Sequence, residues 1–181
     1  MAGHDLARQV RVFSKPIIAR VNGACVAGGM ALLSLCDLSV ASATARFGLP
    51  EVKVGVFPMQ VAVYLRHTLT PPQLAELAYT GELIDAARAE RLGLVGRIAP
   101  ASELDATVTN LVANIELGAP QAIRRGKYAL AAMANMSFDE ALAFAETQIA
   151  VTSRTPEAIE GIAAFNERRR PAWQLTVEEQ D

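Results

Sequence analysis

The sequence predicts an α/β core that gives way to a wholly helical C-terminal stretch. Three observations carry this. From about Leu6 to Pro100, short runs rich in valine and isoleucine alternate with helical patterns. After Ala101 every segment reads as helix. The boundaries between segments fall on residues that start or stop helices for a physical reason.

In chain order, "PIIARV" (16–21) is a β-branched run ending at the turn signal Asn22-Gly23. "NGACVA" reads as the turn that follows, and "GGMALLSLCD" as a buried helix. "DLSVASA" (37–43) and "VGRIAP" (95–100) are further strand candidates. Between them lie three helical candidates: 59–69, then "PPQLAELAYT" (71–80), then "DAARAERLG", with Asp85 as N-cap and Gly93 just past the end. In the C-terminal half a helix spans 102–117, and another spans 120–136, opening on Pro120. "SFDE" (137–140) is a capping box leading into a helix with Phe138, Leu142, Ala145 and Ile149 on one face. "TPEAIEGIAAFNERRRP" starts with Thr155 as N-cap and Pro156 at the first helical position, and stops at Pro171. No repeat of fixed period occurs.

Composition excludes several classes of function. The chain has 181 residues, of which 51% are hydrophobic and 20% charged, so it can bury a real core and leaves little room for disorder. Its net charge is −2, and basic residues gather only in "NERRRP", which argues against nucleic acid as a partner. His4 and His67, the two histidines, stand far apart, and Cys25 and Cys36 are not at a metal-ligand spacing, so no metal site is expected. Both cysteines lie in apolar surroundings, as reduced thiols in a cytoplasmic protein do. No run reaches the length of a membrane helix, and "MAGHDLARQVRVF" has no apolar core of the kind a signal peptide needs.

Two features point to chemistry. Gly28 and Gly29 would each cost about 1 kcal/mol in a helix interior, but at the start of a helix that penalty largely disappears. There the first N–H groups have no intrahelical acceptor, and the helix dipole favours a negatively charged oxygen. That is the geometry of an oxyanion hole, although small residues also serve close helix packing. Glu51 follows a Gly-x-Pro turn amid Phe47, Leu49, Val52, Val54, Val56 and Phe57. A carboxyl group in such company loses hydration and suits proton exchange near neutrality. Alternatively it is a solvated loop residue, or pairs with Lys53.

The residues from "KPIIARVNGACVAGGMALLSLCDLSVASATARFGLPEVKVG" (15–55) and "TGELIDAARAERLGLVGRIAP" (80–100) together resemble the crotonase superfamily of enoyl-CoA hydratases and isomerases. The likeness extends from about Leu6 to Trp173. It implies a right-handed spiral of ββα units with an all-helical C-terminal layer, divided here as a spiral core (1–117) and a helical oligomerisation region (118–181). It also implies an acyl-CoA thioester substrate, assembly as homotrimers or pairs of trimers, and no cofactor beyond the coenzyme A that belongs to the substrate. Gly28 aligns with the family glycine whose N–H receives the thioester oxygen, with Gly29 directly after it, and Glu51 aligns with a glutamate acting as general acid and base.

Three departures qualify the resemblance. Ala31 stands where a second hydratase glutamate belongs, which weakens hydration and favours isomerisation by a single base. "VFPMQVAVYL" replaces a glycine-rich turn, so Met59, Gln60 and Tyr64 would reshape the acyl pocket, and Gln60 could orient a water. A large N-terminal part of the family fold is also expected to be missing. "MAGHDL" resembles the family's second oxyanion loop, but "LARQVRVFSKP" matches the helix before the first strand, which leaves half an oxyanion hole. Three functions follow from these observations: a hydratase-type enzyme, an isomerase using one glutamate, or a non-catalytic acyl-CoA binder or oligomerisation fragment.

Overall fold

The computed structural model describes residues 2–175 and the side chains of residues 5–175. Met1 and the side chain of His4 lie outside the described residues. "LARQVRVF" falls within a helix, α1 (Ala2–Val12), so the backbone of "AGHDL" is helical and does not form a loop.

The chain divides into two compact units. One is Ile17–Asn110; the other is built from the segments on either side of it. Among the described residues, the first unit holds every strand. β1 (Ile18–Val21), β3 (Leu38–Ser42) and β6 (Arg97–Ala99) form one parallel sheet in the order β1-β3-β6. β2 (Ala24–Val26), β4 (Arg46–Gly48) and β5 (Leu83–Asp85) form a second, in which β2 and β4 are parallel and β4 and β5 antiparallel. The expected strands at 16–21, 37–43 and 95–100 are all present; the second sheet is additional.

Sequence explains most helix boundaries in this unit. α2 (Gly28–Leu35) runs between β2 and β3. α4 (Pro71–Thr80) opens with a capping box in which Gln73 accepts the Thr70 N–H at 2.9 Å. α5 (Ala86–Arg91) is capped by Asp85, whose carboxylate accepts the Arg88 N–H at 2.7 Å, and it ends before Gly93 at φ 76°. α3 (Met59–Leu65) is shorter than expected: after Leu65 the chain turns, with the Leu69 N–H donating to the Leu65 carbonyl.

The core is one cluster in which Met30, Phe47, Leu49 and Leu65 are wholly buried and Leu77, Ile84 and Val95 nearly so. Burying a side chain of this size stabilises by about 1.5–3 kcal/mol. Met30 from α2 and Phe47 and Leu49 from β4 and its exit belong to this cluster, so the elements that carry Gly28 and Glu51 are fixed to the same core.

The second unit contains α1, the end of α6 (Leu104–Glu116), α7 (Pro120–Met133), α8 (Phe138–Thr152) and α9 (Pro156–Asn166). Its capping box at Ser137 and Glu140 and its N-cap at Thr155 form as the sequence predicts. Lys127 donates to the Lys15 carbonyl at 2.9 Å and the Tyr128 hydroxyl to the Val12 carbonyl at 3.0 Å, so α7 holds the end of α1.

α9 stops at Asn166, five residues before Pro171, because Arg168 turns to φ 55° and Arg169 folds back onto Glu160. Glu160 accepts two bonds from that guanidinium, at 2.6 and 3.0 Å, and the Ala172 N–H at 2.9 Å. These donors, Arg169 first, hold its carboxyl down to about 2. Beyond this latch the Trp173 indole donates to the Leu117 carbonyl, with its ring against Gly161. Glu160 titrates lower in the folded chain than in the unfolded one. Its stabilising effect is therefore complete above the ordinary carboxylate range and fades as pH falls toward 2. Fluorescence of Trp173, the only tryptophan, is expected to hold constant from pH 7 to 5 and to shift toward the solvated emission between about pH 4 and 2. In Glu160→Gln that shift should already be present at pH 7.

Candidate active site

Two short parallel strands place the candidate residues. Val26 of β2 pairs with Gly48 of β4, and the Ala27 N–H continues the ladder by donating to the Gly48 carbonyl at 3.1 Å. Neighbouring strands run about 4.8 Å apart, and parallel strands bring like ends together. Gly28 lies two residues past Val26 and Glu51 three past Gly48, so both leave the same end of the sheet.

α2 begins at Gly28, directly after β2. The first helical amides have no intrahelical acceptor. Ala27 provides no side-chain cap, and its carbonyl is taken by the Met30 N–H at 2.9 Å. The Gly28 N–H finds no acceptor among the described residues. A Cβ placed on Gly28 would meet nothing within 4 Å, whereas one on Gly29 would meet the Cys25 Sγ at 3.6 Å. The side-chain position of Gly28 is therefore open, and that of Gly29 lies against Cys25.

Glu51 is the second residue of a short 3₁₀ helix, Pro50–Val54, entered from the buried Leu49. Its backbone carbonyl accepts the Val56 N–H at 3.2 Å, and Gly55 at φ 82° closes the turn. Its carboxylate Oε2 is buried and has no hydrogen-bond partner. Burying such an atom unpaired costs about 1–3 kcal/mol, so this one needs an explanation outside folding. Lys53 does not supply it: its stem lies against Gly81, where an added Cβ would meet the Cε at 3.1 Å.

Gly28, Gly29 and Glu51 thus share one end of a sheet. Met59 and Gln60 stand at the solvent-exposed start of α3, a helix that packs against α2, with Met59 70% exposed. Val61 and Leu65 form the buried face of that helix, and Tyr64 is half-buried. Ala31 packs its methyl against the core cluster, so no carboxyl occupies its position. Cys25 and Cys36 are not joined in a disulfide; burial, then the neighbouring Cys36, pushes the Cys25 thiol up to about 11, which leaves it protonated and unreactive near neutrality. Among the described residues no three His, Cys, Asp or Glu side chains gather as metal ligands, and no helix is long and apolar enough to cross a membrane.

Sequence reasoning missed two backbone groups in this site. One is the Gly48 carbonyl, which receives Ala27; its signal was the glycine of "ARFGLPE", read there only as part of a turn. The other is Ala27 itself, at φ 50°, ψ −122°, where alanine gives no hint of a positive φ.

The family model for enoyl-CoA hydratase/isomerase matches residues 1–176. The chain is 36% identical over 168 residues to a putative enoyl-CoA hydratase of Thermus thermophilus, covering 93% of this chain and 66% of that one. It is 32% identical over 169 residues to the short-chain-enoyl-CoA hydratase of Clostridium acetobutylicum, covering 93% and 65%. The crystal structure of an enoyl-CoA hydratase from Mycobacterium smegmatis superposes with a TM-score of 0.92 at 33% identity, over 96% of this chain and 67% of that one. The chain thus spans just under two thirds of the length of these two relatives and has the crotonase fold. It belongs to the enoyl-CoA hydratase/isomerase family.

Proposed function

We propose that this chain acts on an enoyl-CoA thioester, adding water across the double bond, with the Gly28 N–H receiving the thioester oxygen as it gains enolate charge and Glu51 transferring the proton. The buried, unpartnered Oε2 of Glu51, at the same sheet end as an unpartnered amide, carries this reading. A hydrogen bond made chiefly to developing charge lowers the barrier, and removing one such donor typically costs 10²–10³ in rate. Met59 and Gln60 are proposed to shape the acyl end of the site. Coenzyme A enters as part of the substrate, with no separate cofactor.

The methyl of Ala31 favours a second reading. Hydration needs a water activated and a proton delivered, work usually divided between two carboxylates, whereas moving a double bond needs one base. The alternative activity is isomerisation of a 3-enoyl-CoA. Parallel assays on 2-enoyl-CoA and 3-enoyl-CoA separate the two. Hydration of the 2-enoyl substrate as the faster reaction is expected; faster turnover of the 3-enoyl substrate assigns the isomerase. Binding measured by calorimetry with neither turnover would reduce the chain to a non-catalytic acyl-CoA binder.

Assembly belongs to the same reading. Phe138, Ile149, Ile159 and Phe165 of the helical unit are 80%, 70%, 61% and 83% exposed, more apolar surface than a lone helical layer leaves to water. We assign residues 118–181 to oligomerisation as a homotrimer or hexamer. Two cysteines not joined in a disulfide fit a reducing cytoplasmic location.

A further inference from the structure

The backbone immediately before the open amide is held in a conformation that alanine disfavours. Ala27 has φ 50° and ψ −122°, the torsions of the first central residue of a type II′ turn, a position dominated by glycine. Two hydrogen bonds keep it there. Its N–H donates to the Gly48 carbonyl at 3.1 Å, and its carbonyl accepts the Met30 N–H at 2.9 Å. The peptide joining Ala27 to Gly28 is planar and trans. Its N–H must therefore point opposite to its C=O. With the carbonyl turned along α2 toward Met30, the Gly28 N–H is driven out of the helix end, where it meets no acceptor among the described residues.

Alanine has a less strained option close by. Rotating this one peptide by about half a turn gives Ala27 left-handed helical torsions, and asks of Gly28 a positive φ that glycine accepts. The flip would break the Met30 bond and present a carbonyl oxygen where the N–H now stands. A carbonyl there repels a thioester oxygen.

We infer that Ala27 is a positioning residue: its glycine-type torsions, clamped by Gly48 and Met30, hold the Gly28 N–H outward as the donor to the substrate oxygen. This rests on the reading of Gly28 given above. Strain of this kind persists only where the surroundings over-determine it, and it collects at functional sites.

Three measurements on the whole chain test the inference. In Ala27→Val a β-branched side chain opposes these torsions, so kcat should fall at least ~10-fold with KM changed by less than about threefold, as for the loss of an oxyanion donor. In Ala27→Gly the torsions become unstrained. It should keep kcat within about twofold and melt no lower than the wild type. The third readout needs no turnover: the infrared carbonyl stretch of bound butyryl-CoA, labelled with ¹³C at the thioester, should lie at lower frequency in wild type and Ala27→Gly than in Ala27→Val.

A folded Ala27→Val with wild-type kcat and an unshifted carbonyl stretch overturns the inference. So does an Ala27→Gly that melts lower or turns over tenfold slower, and this outcome decides the matter if the valine variant fails to fold. A wild type without turnover overturns the enzymatic reading alone, provided that the bound carbonyl still responds to Ala27; if the carbonyl does not respond, both fall.

Discussion

Glu51→Gln is expected to leave the protein folded and to lower turnover of a 2-enoyl-CoA by about 10²–10⁴, the usual contribution of a positioned general acid and base. Glutamine has nearly the shape of glutamate and cannot give up and recover a proton at the same atom. Oε2 makes no hydrogen bond in the fold, so the substitution breaks none there. Melting temperature should therefore hold within a few degrees, since the substitution removes no hydrogen bond. The decisive comparison is kcat for the two proteins at equal folded fraction. Full activity in the variant would remove Glu51 from the mechanism. Lost activity accompanied by a large fall in melting temperature would make the residue a structural one.

Gly48→Ala is expected to be the most damaging small substitution in the strand-bearing unit. An added Cβ would stand 2.6 Å from the Glu82 carbonyl oxygen and 2.8 Å from the Leu83 Cδ2. The first of these is backbone and cannot rotate away. Glu82 immediately precedes β5, and Leu83 is the residue paired with Gly48, so either β4 or β5 must shift. Overpacking of this kind costs about 1–3 kcal/mol, and a backbone clash belongs at the upper end. For a chain of this size that lowers the melting temperature by roughly 5–10 °C. The same shift moves the carbonyl that holds the Ala27 N–H and the exit leading to Glu51, so activity should fall even at temperatures where the variant is folded. Thermal melts read together with activity well below the transition check both parts. An unchanged melting temperature with normal turnover would mean that β5 yields without moving the site.

Much of the first sheet and most helix starts were legible because each has a local cause. Asp85, Ser137 and Thr155 cap helices with their own side chains, and the run that became β1 is rich in β-branched residues. The second sheet was not legible. Ala24–Val26, Arg46–Gly48 and Leu83–Asp85 are three residues each, too short to show alternation, and they exist because they pair with one another. The end of α9 was misjudged for a similar reason. Pro171 predicts the stop, whereas the capture of Arg169 by Glu160, nine residues earlier, ends the helix sooner.

The candidate site divides along the same line. Gly28 and Glu51 could each be singled out from their neighbours, but 23 positions of sequence separate them and only the resemblance joined them. What joins them physically is the β2–β4 ladder, which no local pattern announced. Lys53, an apparent partner for Glu51, lies on Gly81 instead, because the 3₁₀ turn directs it there. Ala31, which the resemblance marks as a departure, packs its methyl against the core cluster.

Enolate formation can be measured without the double bond and without a second carboxylate. Butyryl-CoA incubated with the protein in D₂O should exchange hydrogen at the carbon next to the thioester, seen as loss of that proton signal by NMR, with Glu51 removing the proton and the Gly28 N–H holding the oxygen. Exchange in the wild type that disappears in Glu51→Gln is the result predicted here. Saturating binding of butyryl-CoA with no exchange above the buffer rate would contradict a shared amide and carboxyl site.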